Sequence, residues 1–386
     1  MIEAVGTKGH SANFQSVLDA RRLLMFLCYL PLVALRVWLI CTPKALTDFW
    51  VYWTSGHLFL TGENPYSAAQ TYATLQMQGW TSEKHLVMIC PPWTLPVTGL
   101  MALVPLPTSK ILWYAICLVL DCFSALALWN YFGGEKRKSW IAIAFCLTFV
   151  PMGFAEWMGQ ITPLILACLT AFLLLERSKQ YFLAGFFLFG FGLKPQLLYL
   201  VSLTILLWIV KKRLWTMLAG AALSYTGSTI FAYTWNHNSF DYFRNAYGPV
   251  VDTYCGLGGA LRFMFGIQHI WLQFLPCVIG LAWFLRYWIK NHRQWDWRRN
   301  LPLLLTVSIC SSPYFWFHDF ILLLPVVIAL AVRGSFRSPY TVVAYSVAQL
   351  AVFATALPPV WMCAASILWI PFYWVATMPT KRVGLA

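Results

Sequence analysis

The chain has 386 residues, of which 60% are hydrophobic and only 10% charged, with a mean hydropathy of +0.65. That composition excludes a soluble globular protein, so the chain is read as one membrane-embedded domain over 1–386, and the length rule that divides soluble chains into domains does not apply. The formal charge of +14 would suit a nucleic-acid partner if it were contiguous, but the basic residues sit in small clusters between apolar runs, as the positive-inside rule requires, and no nucleic acid is expected.

In chain order, an N-terminal segment, 1–22, leads into "RRLLMFLCYLPLVALRVWLICT", whose basic flank resembles that of a signal peptide. Its apolar run is too long and no small-residue cleavage site follows, so it is read as the first transmembrane helix, 23–42. Further apolar runs at 109–131, 140–156, 161–175, 181–193, 195–210, 214–233, 270–289, 301–314, 319–332, 340–356 and 360–378 predict an all-α polytopic bundle of about twelve transmembrane helices. Several fall short of the ~20 residues that a full span needs.

The difficult stretch is "HLVMICPPWTLPVTGLMALVPLP", 85–107, which is apolar yet broken by five prolines. As a crossing, it would send the basic clusters at 136–138, 211–213 and 298–299 outward. As a re-entrant or interfacial element, it leaves every basic cluster, from Arg21 and Arg22 to Lys381 and Arg382, on one side. The opposite side then keeps only Lys44, Lys84, Lys194, Arg244 and Arg262, with Arg36 and Lys110 near span ends. This asymmetry favours the second arrangement, in a cytoplasmic membrane with both termini cytoplasmic. Proline-broken backbone is tolerated at membrane depth where protein covers it or it lines a cavity. The two long non-spanning stretches, 43–108 and 234–269, then lie on the outer face, where function is expected. Cys90 and Cys255 both fall there, so a disulfide between them is open, although connectivity is not readable from sequence. The 11 cysteines show no paired metal-ligand spacing.

Topology accounts for the cytoplasmic cations, so the informative polar residues are the few at the outer interface. Asp48 follows the first span, Glu156 and Gln160 sit in "EWMGQITP", and Lys194 sits in "GLKPQ". His318 and Asp319 join two spans in "SSPYFWFHDF", and Arg262 belongs to the glycine-rich stretch "GLGGALRFMFG" of the second outer loop. Each has a plainer reading. Asp48 and Arg262 suit solvated boundary positions, Lys194 suits a snorkelling lysine, and His318 with Asp319 suits an interfacial polar pair. Against snorkelling, "LKP" between two short runs predicts a backbone break that holds Lys194 inward. Asp121, inside a predicted span, is expected to pair with a hydroxyl or amide. The aromatic residues read first as membrane belt and core, with Tyr52 beside Asp48 a candidate for contact with substrate.

Four strings in order, "DFWVYWTSGHLFLTGENPY", "CPPWTLPVTGLMALVPLP", "GQITPLILACLTAFLLLERSKQYFLAGFFLFGFGLKPQLLYL" and "SSPYFWFHDFILLLP", resemble glycosyltransferase family 87. The resemblance covers roughly 21–330 and departs from the family pattern at "TYCGLGGALRF" in the second outer loop. It implies a GT-C-like bundle with interfacial helices in the first outer loop. It also implies an inverting transfer of a hexose, mannose first, from a polyprenyl-phosphate donor to a glycolipid or glycan hydroxyl. Carried onto this sequence, it makes Asp48 the catalytic base and assigns Lys194, Arg262 and His318 to the donor phosphate. Tyr52, Glu156, Gln160 and Asp319 are the substrate-binding candidates, with no cofactor and no metal expected. Its partners are then the lipid-linked sugar, the acceptor and membrane lipids. The rival readings are a multi-pass transporter or lipid-linked-sugar flippase, a relative that moves another sugar, and a non-catalytic scaffold subunit. Transporters usually show repeat symmetry and midplane polar sites, and neither is visible in this sequence.

Overall fold

The computed structural model describes Ala34 and residues 47–82, 86–245, 256–354 and 360–378. The N-terminal segment 1–22, the first span apart from Ala34, and Cys255 lie outside the described residues. Among the described residues every regular element is helical.

The predicted spans from 109 onward appear as helices in the expected places. The longest is α4, Leu106–Phe132, 27 residues beginning just after Pro105 and closed by Gly133 in the left-handed conformation. The expected span 140–156 is two helices, α5 (Trp140–Thr148) and α6 (Val150–Met158), bent by 55° at Phe149, whose extended backbone separates them, with Pro151 in the first turn of α6. Then come α7 (Thr162–Arg177), α8 (Tyr181–Phe186) with a 3₁₀ continuation to Gly192, α9 (Tyr199–Lys212) and α10 (Trp215–Trp235). After α11 (Tyr242–Asn245) and α12 (Gly256–Phe265), the chain runs through α13 (Trp271–Asn291) and α14 (Trp297–Cys310). A 3₁₀ turn at Phe317–Leu323 leads into α15 (Leu324–Val332), followed by α16 (Pro339–Ala354) and α17 (Val360–Thr377).

Among the described residues, fewer helices are long enough to cross alone than the expected count of about twelve transmembrane helices. By length and apolar composition, α4 and the helix Trp271–Gln294 qualify among the described residues, and the bent pair makes a third. A helix of 14 residues such as α9 rises only ~21 Å, short of the ~30 Å of bilayer hydrocarbon. The short helices pack as a covered bundle: α7 lies against α4 and α15 packs on α4. Contact between α8 and α10 is close because glycines meet it from both sides; a Cβ on Gly185 would lie 1.9 Å from the Met217 carbonyl oxygen.

Two stretches outside the spans take shape. The first predicted outer loop holds three helices, α1 (Thr47–Thr61), α2 (Ala68–Met77) and α3 (Leu95–Met101). The proline-rich stretch has no regular element from 86 to Pro91, which is itself extended, then a 3₁₀ turn and the seven-residue α3, which at ~10 Å is far too short to cross. In the second loop, the glycine-rich stretch around Arg262 is not a loop but α12, because its glycines serve close packing. Gly258 abuts the Gln273 backbone and Gly256 abuts the Phe315 ring. The two loops are clipped together at the turn after α1, where Gly62 is left-handed. There Asn64 Nδ2 donates to Asp241 Oδ2 at 2.6 Å, and Asn236 Nδ2 donates to the Glu63 carbonyl at 2.6 Å.

Candidate active site

The polar residues near the first predicted outer loop converge because helices break there. α6 ends on Gly159 in the left-handed conformation, and the Gln160 N–H returns to the Ala155 carbonyl at 2.8 Å, which turns Gln160 out of the helix line. Thr162 and Pro163 then open α7. Lys194 sits in the gap between the 3₁₀ continuation of α8 and the start of α9, as the "LKP" break predicts. Asp319 lies in the first turn of the 3₁₀ element at Phe317, where its Oδ2 accepts from the Trp316 N–H at 2.9 Å.

One chain of hydrogen bonds links these breaks. Gln160 Nε2 donates to Asp48 Oδ2, while Gln160 Oε1 accepts from the Tyr52 hydroxyl at 3.1 Å and from Lys194 Nζ at 2.8 Å. Since lysine can only donate, it fixes the amide with its oxygen toward Lys194 and its N–H groups toward Asp48. Lys194 Nζ also pairs with Asp319 Oδ1 at 2.7 Å, and the Thr162 hydroxyl donates to the same oxygen at 3.0 Å. Asp319 is buried, and an anion there is tenable only with such partners.

The chain borders a cavity of about 330 Å³. Asp48, Tyr52, Gln160, Lys194 and His318 line it, together with Cys90, Met158, Tyr242, Tyr314 and Trp316. His318 is buried, stacks on Trp316, and has no hydrogen-bond partner for either ring nitrogen among the described residues. Its Nε2 stands 3.6 Å from Asp319 Oδ1, beyond hydrogen-bond length. Burial pushes the Cys90 thiol up to about 11, so it is a neutral wall at physiological pH rather than a nucleophile. Burial, with Cys90 and Asp48 adding to it, pushes the Tyr52 phenol up as well and keeps it a donor.

Three of the sequence candidates stand back from the cavity wall. Asp319 lies behind Lys194. Glu156 is buried in α6, one turn before Gln160. Arg262 is buried in α12, with its guanidinium donating to the Ile267 carbonyl at 2.8 Å and to Gln273 Oε1 at 3.3 Å. Gln273 in turn donates to the Pro313 carbonyl, so Arg262 braces the loop that carries Tyr314 and Trp316. Sequence reasoning did not single out Thr162, Tyr242, Tyr314 or Trp316, although three of them lie inside or next to strings it had marked. Among the described residues no group of three histidine, cysteine or acidic side chains is placed to hold a metal ion.

The family model of glycosyltransferase family 87 matches residues 89–313, more than half of the chain. The match takes in Glu156, Gln160, Lys194 and Arg262, begins after Asp48 and Tyr52, and ends before His318 and Asp319. No curated protein matches the chain.

Proposed function

The chain belongs to glycosyltransferase family 87, and from that premise we propose that it moves a hexose, mannose first, from a polyprenyl-phosphate donor to a glycolipid or glycan hydroxyl at the outer face of the cytoplasmic membrane. The observation that carries the reading is the placement of a carboxylate, Asp48, and an ammonium, Lys194, on one cavity wall, held apart by the single amide of Gln160. Such spacing matches the two tasks of an inverting transfer. At one end the acceptor hydroxyl gives its proton to Asp48 as its oxygen bonds to the anomeric carbon. At the other, the bond from that carbon to the phosphate oxygen breaks, and the phosphate leaves with the electron pair.

Lys194 supplies positive charge to the leaving phosphate and exchanges its weakest contact, Thr162 at 3.4 Å, for a phosphate oxygen. His318, with both ring nitrogens unpartnered among the described residues, is the second phosphate or hydroxyl ligand. Arg262 is given a bracing role, because its guanidinium is engaged by Ile267 and Gln273. Tyr52 holds the Gln160 amide, Asp319 holds Lys194, and Tyr242, Tyr314 and Trp316 supply flat surfaces for the sugar.

The deciding experiment is transfer from radiolabelled polyprenyl-phosphate mannose to a lipid extract of the native host, with wild-type protein and Asp48→Asn compared in nanodiscs. Loss of a general base costs about 10²–10⁴-fold in rate. Product formed by a folded Asp48→Asn at the wild-type rate would remove Asp48 as the base, and Glu156 and Asp319 would be the next carboxylates to test.

A further inference from the structure

A second cavity, of about 310 Å³, lies at the opposite end of α7. With 16 residues, α7 places its Thr162 end and its Arg177 end ~24 Å apart, so this cavity is remote from the candidate active site. It sits at the helix ends that carry the basic clusters, the side read from sequence as cytoplasmic.

Its walls are aromatic and set at right angles. The Trp297 ring meets Trp208 at 5.9 Å and 87°, and meets Trp295 at 5.5 Å and 83°. Trp297 is only 4% exposed, yet its indole N–H has no acceptor among the described residues, and the same holds for the Trp295 N–H. A buried donor left without an acceptor is costly, and both tryptophans line the cavity. Two carboxyl groups, Glu176 and Asp296, and three cations, Arg177, Lys179 and Arg298, complete the lining. Arg177 is held in place by donating to the Tyr131 carbonyl at 3.2 Å.

These features ask for a ligand with both signs. A plain anion would satisfy the indole N–H groups and the cations but would meet two carboxyl groups. A plain cation would suit the aromatic faces and the acids but would leave the indole donors unanswered. We propose that this cavity binds a phosphoethanolamine group, with its phosphate oxygens on the Trp295 and Trp297 N–H groups and the basic rim, and its ammonium among the aromatic faces, Glu176 and Asp296. Beside the cavity, α8 exposes Phe182, Leu183 and Phe186 at the surface, a track for the acyl chains of an aminophospholipid. The proposal stands apart from the transfer reaction and does not rest on the donor or acceptor.

Glu176 lies just past the span 161–175, and burial, with Asp296 adding to it, pushes its carboxyl up to about 7. An ammonium favours the ionised form, so binding strengthens as pH rises from 6 to 8. Tyr131, Arg177, Lys179, Tyr181, Asp296 and Arg298 are the other titratable or charged groups lining this cavity.

The test uses the full chain in detergent, with native mass spectrometry and thermal unfolding read against short-chain phosphatidylethanolamine. The expected result is one saturable site, weakened about threefold to tenfold in Trp297→Phe, which keeps an aromatic ring and removes the N–H together with the five-membered ring that carries it. Glu176→Gln is expected to weaken it similarly and to abolish the rise between pH 6 and 8. Should Trp297→Phe aggregate, Glu176→Gln carries the test alone. Phosphatidylglycerol of the same chain length, a phosphate without an amine, binds more weakly. Displacement of the lipid by O-phosphoethanolamine supports the site and shows that a soluble source suffices; retention of the lipid against it supports the site and shows that acyl chains are needed. Equal binding of the two lipids by wild-type protein, or wild-type affinity in both folded variants, overturns the proposal.

Discussion

The two cavities at the ends of α7 are built from similar residue types and differ in what those residues already hold. At the Thr162 end, Asp48, Gln160, Tyr52, Lys194, Thr162 and Asp319 are chained to one another, and His318 is the buried group left open among the described residues. At the Arg177 end, two indole N–H groups stand without acceptors among the described residues, and burial, with Asp296 adding to it, disfavours the charge on Glu176. Groups that are paired before a substrate arrives need little reorganisation during a reaction, which suits charge developing in a transition state. Donors left unpaired are answered only by what enters. In the proposed function the first cavity is organised by the protein for a reaction, and in the proposed lipid binding the second is completed from outside.

The contrast is most sharply broken at Asp48. If the chained network serves catalysis, Asp48→Asn loses about 10²–10⁴-fold of transfer while its unfolding temperature barely moves, because asparagine keeps the shape. A large stability loss with turnover intact in the surviving folded fraction would make the chain structural instead. Next in size is Lys194→Ala, which leaves Asp319 buried without its cation. Breaking a buried pair from one side costs roughly 3–5 kcal/mol. Unfolding in detergent reads this as a large fall in melting temperature, and the double variant Lys194→Met with Asp319→Asn recovers most of it. A double variant no more stable than Lys194→Ala would show that the pair does not hold these helices together.

How much of this was legible in the sequence follows from the range of each signal. The helices were readable because apolar runs act locally, and in the structure Pro105, Gly133 and Gly159 stand at helix ends. The Lys194 break was readable for the same reason. Whether a 14-residue helix is a complete crossing was not readable, since that depends on neighbours covering its ends. Arg262 misled because three glycines within four residues suggest a loop, whereas packing against Gln273 and Phe315 makes them a helix face. Glu156 and Gln160 share one string and lie four apart, yet only Gln160 reaches the cavity, because the left-handed turn at Gly159 separates them. The second cavity left no trace in the reading, since its residues are gathered from five helices and the turns beside them and look in sequence like topology signals and membrane-belt tryptophans.

Two smaller effects sharpen the comparison. Gln160 touches both ends of the network, so Gln160→Ala is expected to lower turnover about 10- to 100-fold, with the KM for donor changed much less, because it loosens Asp48 without removing a phosphate ligand. A rise in KM with turnover unchanged would move Gln160 from positioning to ground-state binding. The smallest effect tests the clip between the two predicted outer loops. Asn64 donates to Asp241 at 2.6 Å and also accepts the Tyr66 N–H at 3.0 Å, and Tyr66 in turn donates to the Cys90 carbonyl at the cavity wall. A hydrogen bond to a partly buried carboxylate is worth about 1.5 kcal/mol, so Asn64→Ala is expected to speed amide exchange across 62–68 and 236–241 by about tenfold. Because Cys90 hangs on Tyr66, a modest rise in donor KM should accompany the faster exchange. Faster exchange without any change in transfer would make the clip a device of loop stability alone, leaving the cavity to be shaped by the Gln160 network.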